Sequence, residues 1–523
     1  MNALARIPFL NRTYGVGVKI LAGVASAVRW AFEQIRAAWR TLRAIPLSVL
    51  RARLLLALTV VAISVLGGMA TSILEWSAVY LAMGLILSVF ILIDFRVGVI
   101  TLILLIPFSS SKLFPHQLLG IIGLNPLNLL LMATLFSYGL LRFFGGTRQR
   151  FIPREALWLY VIPITLAALI GATHFGEIPG FAVQELDLDI GGAPGYLRDF
   201  YVRPMYLVLF AFLLAAAVFE TRRIEGFLIA GLVSLWVIIL IILIFFLASG
   251  ASLADISGEG GESRTFFSPI GLHGNGVGRV FAIACGILIF SAPAYKTLWS
   301  RIVVWSSTGV AALALLITFS RGSYLLLMII VGLYLKSLKS KQRLLILTMV
   351  LPMVLIALPG AVYNRVFFGV GTGADLNAVS SGRTDEIWKP LFPEIFTSPV
   401  VGRGLSSILW SEAMKTKAIW AVGHPHNAFL KSLLDMGFLG TALVFLFGWR
   451  VWKRMQHFSR EPLLEPQLRN FFAGASAALV GFTVAGISGS SFDPVSDQFF
   501  LWFAIGLMYG LEMKLKLGQG VHG

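Results

Sequence analysis

The sequence predicts an all-α polytopic membrane protein with about 12–14 transmembrane helices and a large extracytoplasmic loop. Three observations carry that prediction. Hydrophobic residues make up 57% of the chain and charged residues 13%, where a soluble domain is about a quarter charged. Mean hydropathy is +0.84. The apolar residues gather in runs of about the 17–25 residues that cross a bilayer, although 523 residues are ample for an ordinary soluble core.

Residues 1–53 form a basic cytoplasmic extension. Arg29, Glu33, Arg36, Arg40 and Arg43 recur at spacings that share one helical face, with Ile35, Trp39 and Leu42 elsewhere on the wheel. That pattern fits an interfacial amphipathic helix whose basic side faces lipid phosphates, and equally a solvated charged face. The first strongly apolar run begins near Leu54, too late for a cleavable signal peptide. Runs at 54–74, 77–94, 97–110, 124–142, 156–172, 205–219 and 224–250 make an N-terminal transmembrane bundle over 54–259. Runs at 276–293, 302–319, 322–336 and 343–359 follow, then a long segment, 360–425, before the run at 426–449. Residues 260–445 take in that segment and the runs on either side of it. Residues 446–523 contribute the last two spans, 470–487 and 498–514.

Charge asymmetry orients these spans. With a cytoplasmic N-terminus, the clusters Arg142–Arg154, Arg222–Arg223, Lys296–Arg301, Lys336–Arg343, Arg450–Arg454 and Lys514–Lys516 all fall inside, as the positive-inside rule demands. The outer segment 173–204 is acidic, and so is 251–275. Both termini are therefore cytoplasmic. The net charge of +17 sits in these short loops, so it speaks for anionic lipid headgroups rather than nucleic acid. The single cysteine, Cys285, lies in an apolar run and excludes an internal disulfide.

Loops as long as 360–425 are usually functional or disordered, and Trp388, Phe392 and Trp410 argue for short amphipathic helices. Arg321 sits in the tight break Thr318–Ser323 between two apolar runs. An arginine is disfavoured on the outer side, and one in lipid costs at least about 2.5 kcal/mol. It is therefore either a snorkelling side chain or the partner of an anion. Arg383 follows Ser381-Gly382, and Arg403 lies in Ser398–Gly404; alone, each is most simply a solvated charge. In Gly423-His424-Pro425-His426-Asn427, Pro425 suits the first helical position. His426 then falls in the first turn, where the helix dipole disfavours imidazolium and leaves a neutral base, or a headgroup contact. Leu430, Leu433, Gly437 and Gly440 continue along the same face, and small residues there allow a neighbour to approach closely. The stretch Arg264–Arg279, with His273-Gly274-Asn275-Gly276, has turn-forming glycines but no nucleotide-binding fingerprint. The seven histidines do not fall at zinc spacing, so neither a metal nor a cofactor is expected.

His426-Asn427 followed by Gly437-Phe438-Leu439-Gly440 resembles the helix motif of the bacterial O-antigen ligase and polymerase superfamily. Ser320-Arg321-Gly322, the Arg383 that precedes Trp388, the Pro399–Gly404 stretch and the Asn275 segment are similar to family elements in the family's order. The resemblance implies a C-type glycosyltransferase architecture, with 260–445 as its catalytic region. It also implies transfer of a glycan from an undecaprenyl-pyrophosphate carrier to a hydroxyl on lipid A–core or another glycan, at the periplasmic face of the inner membrane. Inversion without nucleotide sugar or metal is part of that implication. Carried over, Arg321 and Arg383 stabilise the pyrophosphate and His426 is the general base, with Arg264, Asn275, Arg403, His424 and Asn427 as substrate-binding candidates. Ligase and polymerase remain equal branches. A transporter or lipid flippase is the rival class, and it predicts ionisable groups in mid-helix and inverted repeats.

Overall fold

A computed structural model describes residues 75–109, 125–145, 151–188, 191–249, 273–350, 380–489 and 491–516. It also describes Glu33, Ser111, 117–118, 121–122, Phe267, Gly271, Met353, Gly360, 362–363 and Asn377. The chain divides into two compact units, Met1–Val89 and Phe90–Gly523. In the first, Glu33 is helical and exposed, and a helix runs from Glu75. The remainder of the expected amphipathic extension, the apolar run 54–74 and Arg264 lie outside the described residues, as does the run 343–359 beyond Val350 except for Met353.

The described residues are almost entirely helical, apart from a two-residue antiparallel pair that matches Gln117 with Ile122 and Leu118 with Ile121. The long helices are α1 (Glu75–Ile93), α2 (Phe95–Leu105), α3 (Pro126–Gly145) and α4 (Arg154–Glu177), then α5 (Gly192–Glu220) and α6 (Glu225–Ser249). They continue as α7 (Gly274–Ser291), α8 (Leu298–Ile317), α9 (Arg321–Ser337), α10 (Ala428–Phe458), α11 (Pro466–Ala485) and α12 (Phe499–Lys516). Eight of the described helices are long and apolar enough to cross a membrane, so the chain is a multi-pass membrane protein. The expected spans 77–94 and 97–110 become α1 and α2, which meet at Asp94. Its carboxylate caps α2 by accepting from the Arg96 amide, leaving α2 only 11 residues long.

The centre of the second unit is α12 packed on α5. Every residue from Phe499 to Leu511 is buried, as a helix apolar all round should be. Gly506 and Gly510 let the α5 backbone approach: a Cβ on either would stand 2.6 Å from the Ala211 or Ala215 carbonyl oxygen. Such small-residue contacts replace the hydrophobic effect as the packing force in lipid. Outward, Phe136, Trp158, Leu247, Leu313 and Met328 stay exposed, forming the lipid-facing side.

Helix direction sorts the chemistry to the two ends. α7 starts beside His273, α8 finishes at Ile317 and α9 starts at Arg321. α10 starts after Asn427, α11 runs into Gly486–Ser488, and α12 starts at Phe499. The basic clusters occupy the other ends, roughly 27 Å away for 18 residues at 1.5 Å rise. There Arg454 and Tyr509 converge on Glu155, with the tyrosine hydroxyl 2.6 Å from its carboxylate.

Candidate active site

The break between α8 and α9 is a strained turn. Phe319 is buried with φ +47°, Ser320 precedes the helix, and Arg321 is its first residue. Gly322 lies so close to α11 that a Cβ would stand 2.7 Å from the Ser488 hydroxyl. The guanidinium of Arg321 donates to the Ser381 hydroxyl, which places the Arg383 turn against the Arg321 break. Ser381 and Gly382 both have positive φ, +58° and +83°, and Arg383 opens a run of helical turns from Thr384 to Thr397.

From that run, Trp388 Nε1 donates to the Pro425 carbonyl at 2.8 Å. One hydrogen bond thus joins the Arg321 break to the Arg383 turn, and another joins the turn's helix to the histidine segment. Here the structure corrects the expected start of α10. Pro425 and His426 are not in the helix: Asn427 is its N-cap, accepting from the Phe429 and Leu430 amides. His426 stands before the cap with φ +54°. The cap wins because an asparagine side chain satisfies two of the helix's open amides. Three of the six positive-φ non-glycine residues among those described are thus Phe319, Ser381 and His426. Such backbone persists only where its surroundings impose it, and it clusters at functional sites.

The His426 amide donates to His424 Nδ1 at 3.2 Å, so a neutral His424 carries its proton on Nε2. The two rings meet edge to face, with centroids 4.2 Å apart. Burial first, then the cationic surroundings of Lys431, Arg279 and Arg383, push His424 down to about 4. Burial, then His424, Arg383, His273 and Arg279, push His426 down to about 2. The neutral imidazole expected from the helix dipole is present, but burial and neighbouring cations are its cause.

The glycine face of α10 is the second correction. Gly437 has φ +62° and ψ −170°, and the helix breaks there. The Pro399–Gly404 strand of chain is inserted into the break: Phe438 N–H donates to Pro399 O at 2.7 Å and Leu439 N–H to Val400 O at 3.1 Å. In return Arg403 N–H donates to Leu434 O at 2.8 Å and Gly404 N–H to Asp435 O at 3.0 Å. Gly437 therefore admits loop backbone rather than a neighbouring helix, and Gly402 on the loop lies equally close to the Asp435 and Met436 backbone. Arg403 holds this arrangement, with its guanidinium on Glu394 and on the Trp410 carbonyl. Glu394 also accepts from the Ala413 amide at 2.8 Å.

Asn275, expected in a loop, lies in the first turn of α7, capped by His273. Its carbonyl accepts from Ser323 at 3.3 Å, which ties α7 to the Arg321 helix. Behind the histidines lies a charged group that the sequence reading missed. Buried Lys431 pairs with Asp435 at 2.7 Å and Asp493 at 2.9 Å, and Ser407 donates twice to Asp435. Arg279 pairs with Asp497. Lys431 and Asp435 at i and i+4 in a membrane helix were the available signal, since such residues are rarely incidental.

Residues 307–446 match the family model described as O-antigen ligase. The matched stretch holds Arg321, Arg383, Arg403, His424, His426 and Asn427. It supports placing the chain with the O-antigen ligase and polymerase superfamily, and so with membrane glycosyltransferases of that type. No curated protein matches the chain.

Proposed function

We propose that this chain moves a glycan from an undecaprenyl-pyrophosphate carrier to an acceptor hydroxyl at the periplasmic face of the bacterial inner membrane, with inversion and without a metal ion. The observation that carries the reading is the linked assembly of Arg321–Ser381 and Trp388–Pro425. It draws two guanidinium-bearing turns and His426 to one end of the bundle, away from the basic clusters. The positive-inside rule, applied to the basic loops at the other end, supports an outer position for this one.

In this reading the diphosphate lies against Arg321 and Arg383, whose planar guanidinium groups bind phosphate oxygens in pairs and stay charged at any working pH. The acceptor oxygen attacks the anomeric carbon as its proton passes to His426. The bond from that carbon to the diphosphate oxygen breaks, and the carrier leaves as its diphosphate. Preorganised positive charge at the leaving group does the work that a metal does elsewhere, and general-base help is worth typically 10²–10⁴-fold. Burial, and after it the neighbouring cations, hold His426 neutral and also make it a weak base. An arriving diphosphate offsets their field, raises the basicity of the ring and couples base strength to donor binding. His424 and Asn275 border the same end and are offered as substrate contacts. Asn427 and Arg403 act through the helix cap and the inserted strand.

The test is reconstitution of the purified chain with a carrier-linked glycan in EDTA. Transfer with release of carrier diphosphate and inverted anomeric configuration is expected; retention or metal dependence would refute the mechanism. Loss of long glycan with normal lipid A–core capping in deletion cells would mark a polymerase, and the reverse a ligase.

A further inference from the structure

At the end of the bundle remote from His426, a cleft of about 550 Å³ opens between α6, α7, α8, α11 and α12. That is within the range of small-molecule sites. Its depth is apolar, with Leu228, Leu232, Leu235, Ile287, Val304 and Phe503 on its walls. Its mouth is charged, with Arg222, Lys296, Glu225 and Glu465. Among the described residues none of these four makes an ion pair. The mouth also holds Gln467, whose Oε1 is buried and accepts no hydrogen bond. The nearby hydroxyls are already engaged, Ser291 on the Ile287 carbonyl and Thr297 with Ser300.

We propose that this cleft binds a phospholipid with a phosphoethanolamine headgroup. An apolar wall beneath a polar mouth at the end of membrane helices matches a lipid lying parallel to them. Arg222 and Lys296 take the phosphate. The two carboxylates, Glu225 and Glu465, accept from a cationic donor, and a primary ammonium supplies three N–H groups. The mouth balances two positive against two negative charges, which suits a zwitterion and disfavours an anionic lipid. A trimethylated ammonium has no N–H to donate to Glu225 or Glu465 and binds this mouth less well. This site lies at the opposite end from the arginines and histidines, and the proposal stands whether or not sugar transfer does.

The experiment places the full-length chain in nanodiscs of equimolar phosphatidylethanolamine, phosphatidylcholine and phosphatidylglycerol with identical acyl chains. Lipid retained after transfer to detergent is then quantified by mass spectrometry. Phosphatidylethanolamine is expected to be enriched on the order of tenfold over the other two, the ratio one lost buried hydrogen bond gives. The double variant Glu225→Gln/Glu465→Gln should bring it down to the phosphatidylcholine level. Lys296→Gln should weaken retention of all three alike, because it meets the phosphate they share. Equal retention of phosphatidylcholine, preference for phosphatidylglycerol, or an unchanged ratio in the double variant would overturn the proposal. If the double variant fails to fold, the wild-type ratio decides alone.

Discussion

Replacing Gly437 by alanine tests whether the inserted Pro399–Gly404 strand builds the site. The new Cβ would stand 2.5 Å from the Val400 carbonyl carbon and oxygen, a contact with backbone that no rotamer relieves. The residue would also be held at φ +62°, ψ −170°, a region almost reserved for glycine that costs about 1–3 kcal/mol. Moving the strand away breaks the Phe438–Pro399 and Leu439–Val400 hydrogen bonds, each worth about 0.5–1.5 kcal/mol. The two effects together give about 4 kcal/mol of destabilisation. Gly448, on the same helix, has nothing within 4 Å of its would-be Cβ, so Gly448→Ala should be neutral or stabilise by up to about 1 kcal/mol. Thermal unfolding in detergent compares the two, with glycan transfer as the second readout. Gly437→Ala should melt well below wild type and lose transfer while Gly448→Ala keeps both. Equal melting of the two variants would refute the insertion argument.

Lys431→Met leaves Asp435 and Asp493 buried without their cation, and should destabilise the chain by about 3–5 kcal/mol in the same melting assay. Because His426 is pushed down to about 2 in the empty site, it stays deprotonated above that value. The kcat/KM profile, which reports the free enzyme, should therefore show no acid limb from this residue between pH 5 and 7. A limb there that disappears in His426→Gln would contradict the depressed value. Trp388→Phe removes the indole N–H that holds the Pro425 carbonyl and trims the half-buried ring. It should lower kcat about tenfold, the equivalent of one hydrogen bond, with little change in melting temperature.

What could be read in advance depended on whether a feature was local. Spans and the Arg321 break follow from hydropathy along the chain, and Arg321 does begin a helix after a strained turn. The start of α10 lies two residues later than Pro425 suggests, because the Asn427 side chain caps two open amides. A glycine that admits a helix and one that admits a loop are the same letter, so Gly437 gave no warning of its break. The partners that organise the site join residues far apart: Trp388 reaches Pro425, Arg321 reaches Ser381, and Lys431 reaches Asp493. No periodicity encodes those pairs. Arg403, a substrate-binding candidate in the sequence, pairs with Glu394 nine residues before it, which no local pattern announces.

The central claim is that Arg321, Arg383 and His426 act on one carrier diphosphate. The most direct measurement is single-turnover glycan transfer in EDTA by wild type and by Arg321→Ala, Arg383→Ala and His426→Ala, with donor binding measured in parallel. The account expects all three variants to slow transfer by about 10²–10⁴-fold, with donor affinity retained in His426→Ala and weakened in the two arginine variants. Near-wild-type transfer by any of the three would contradict it.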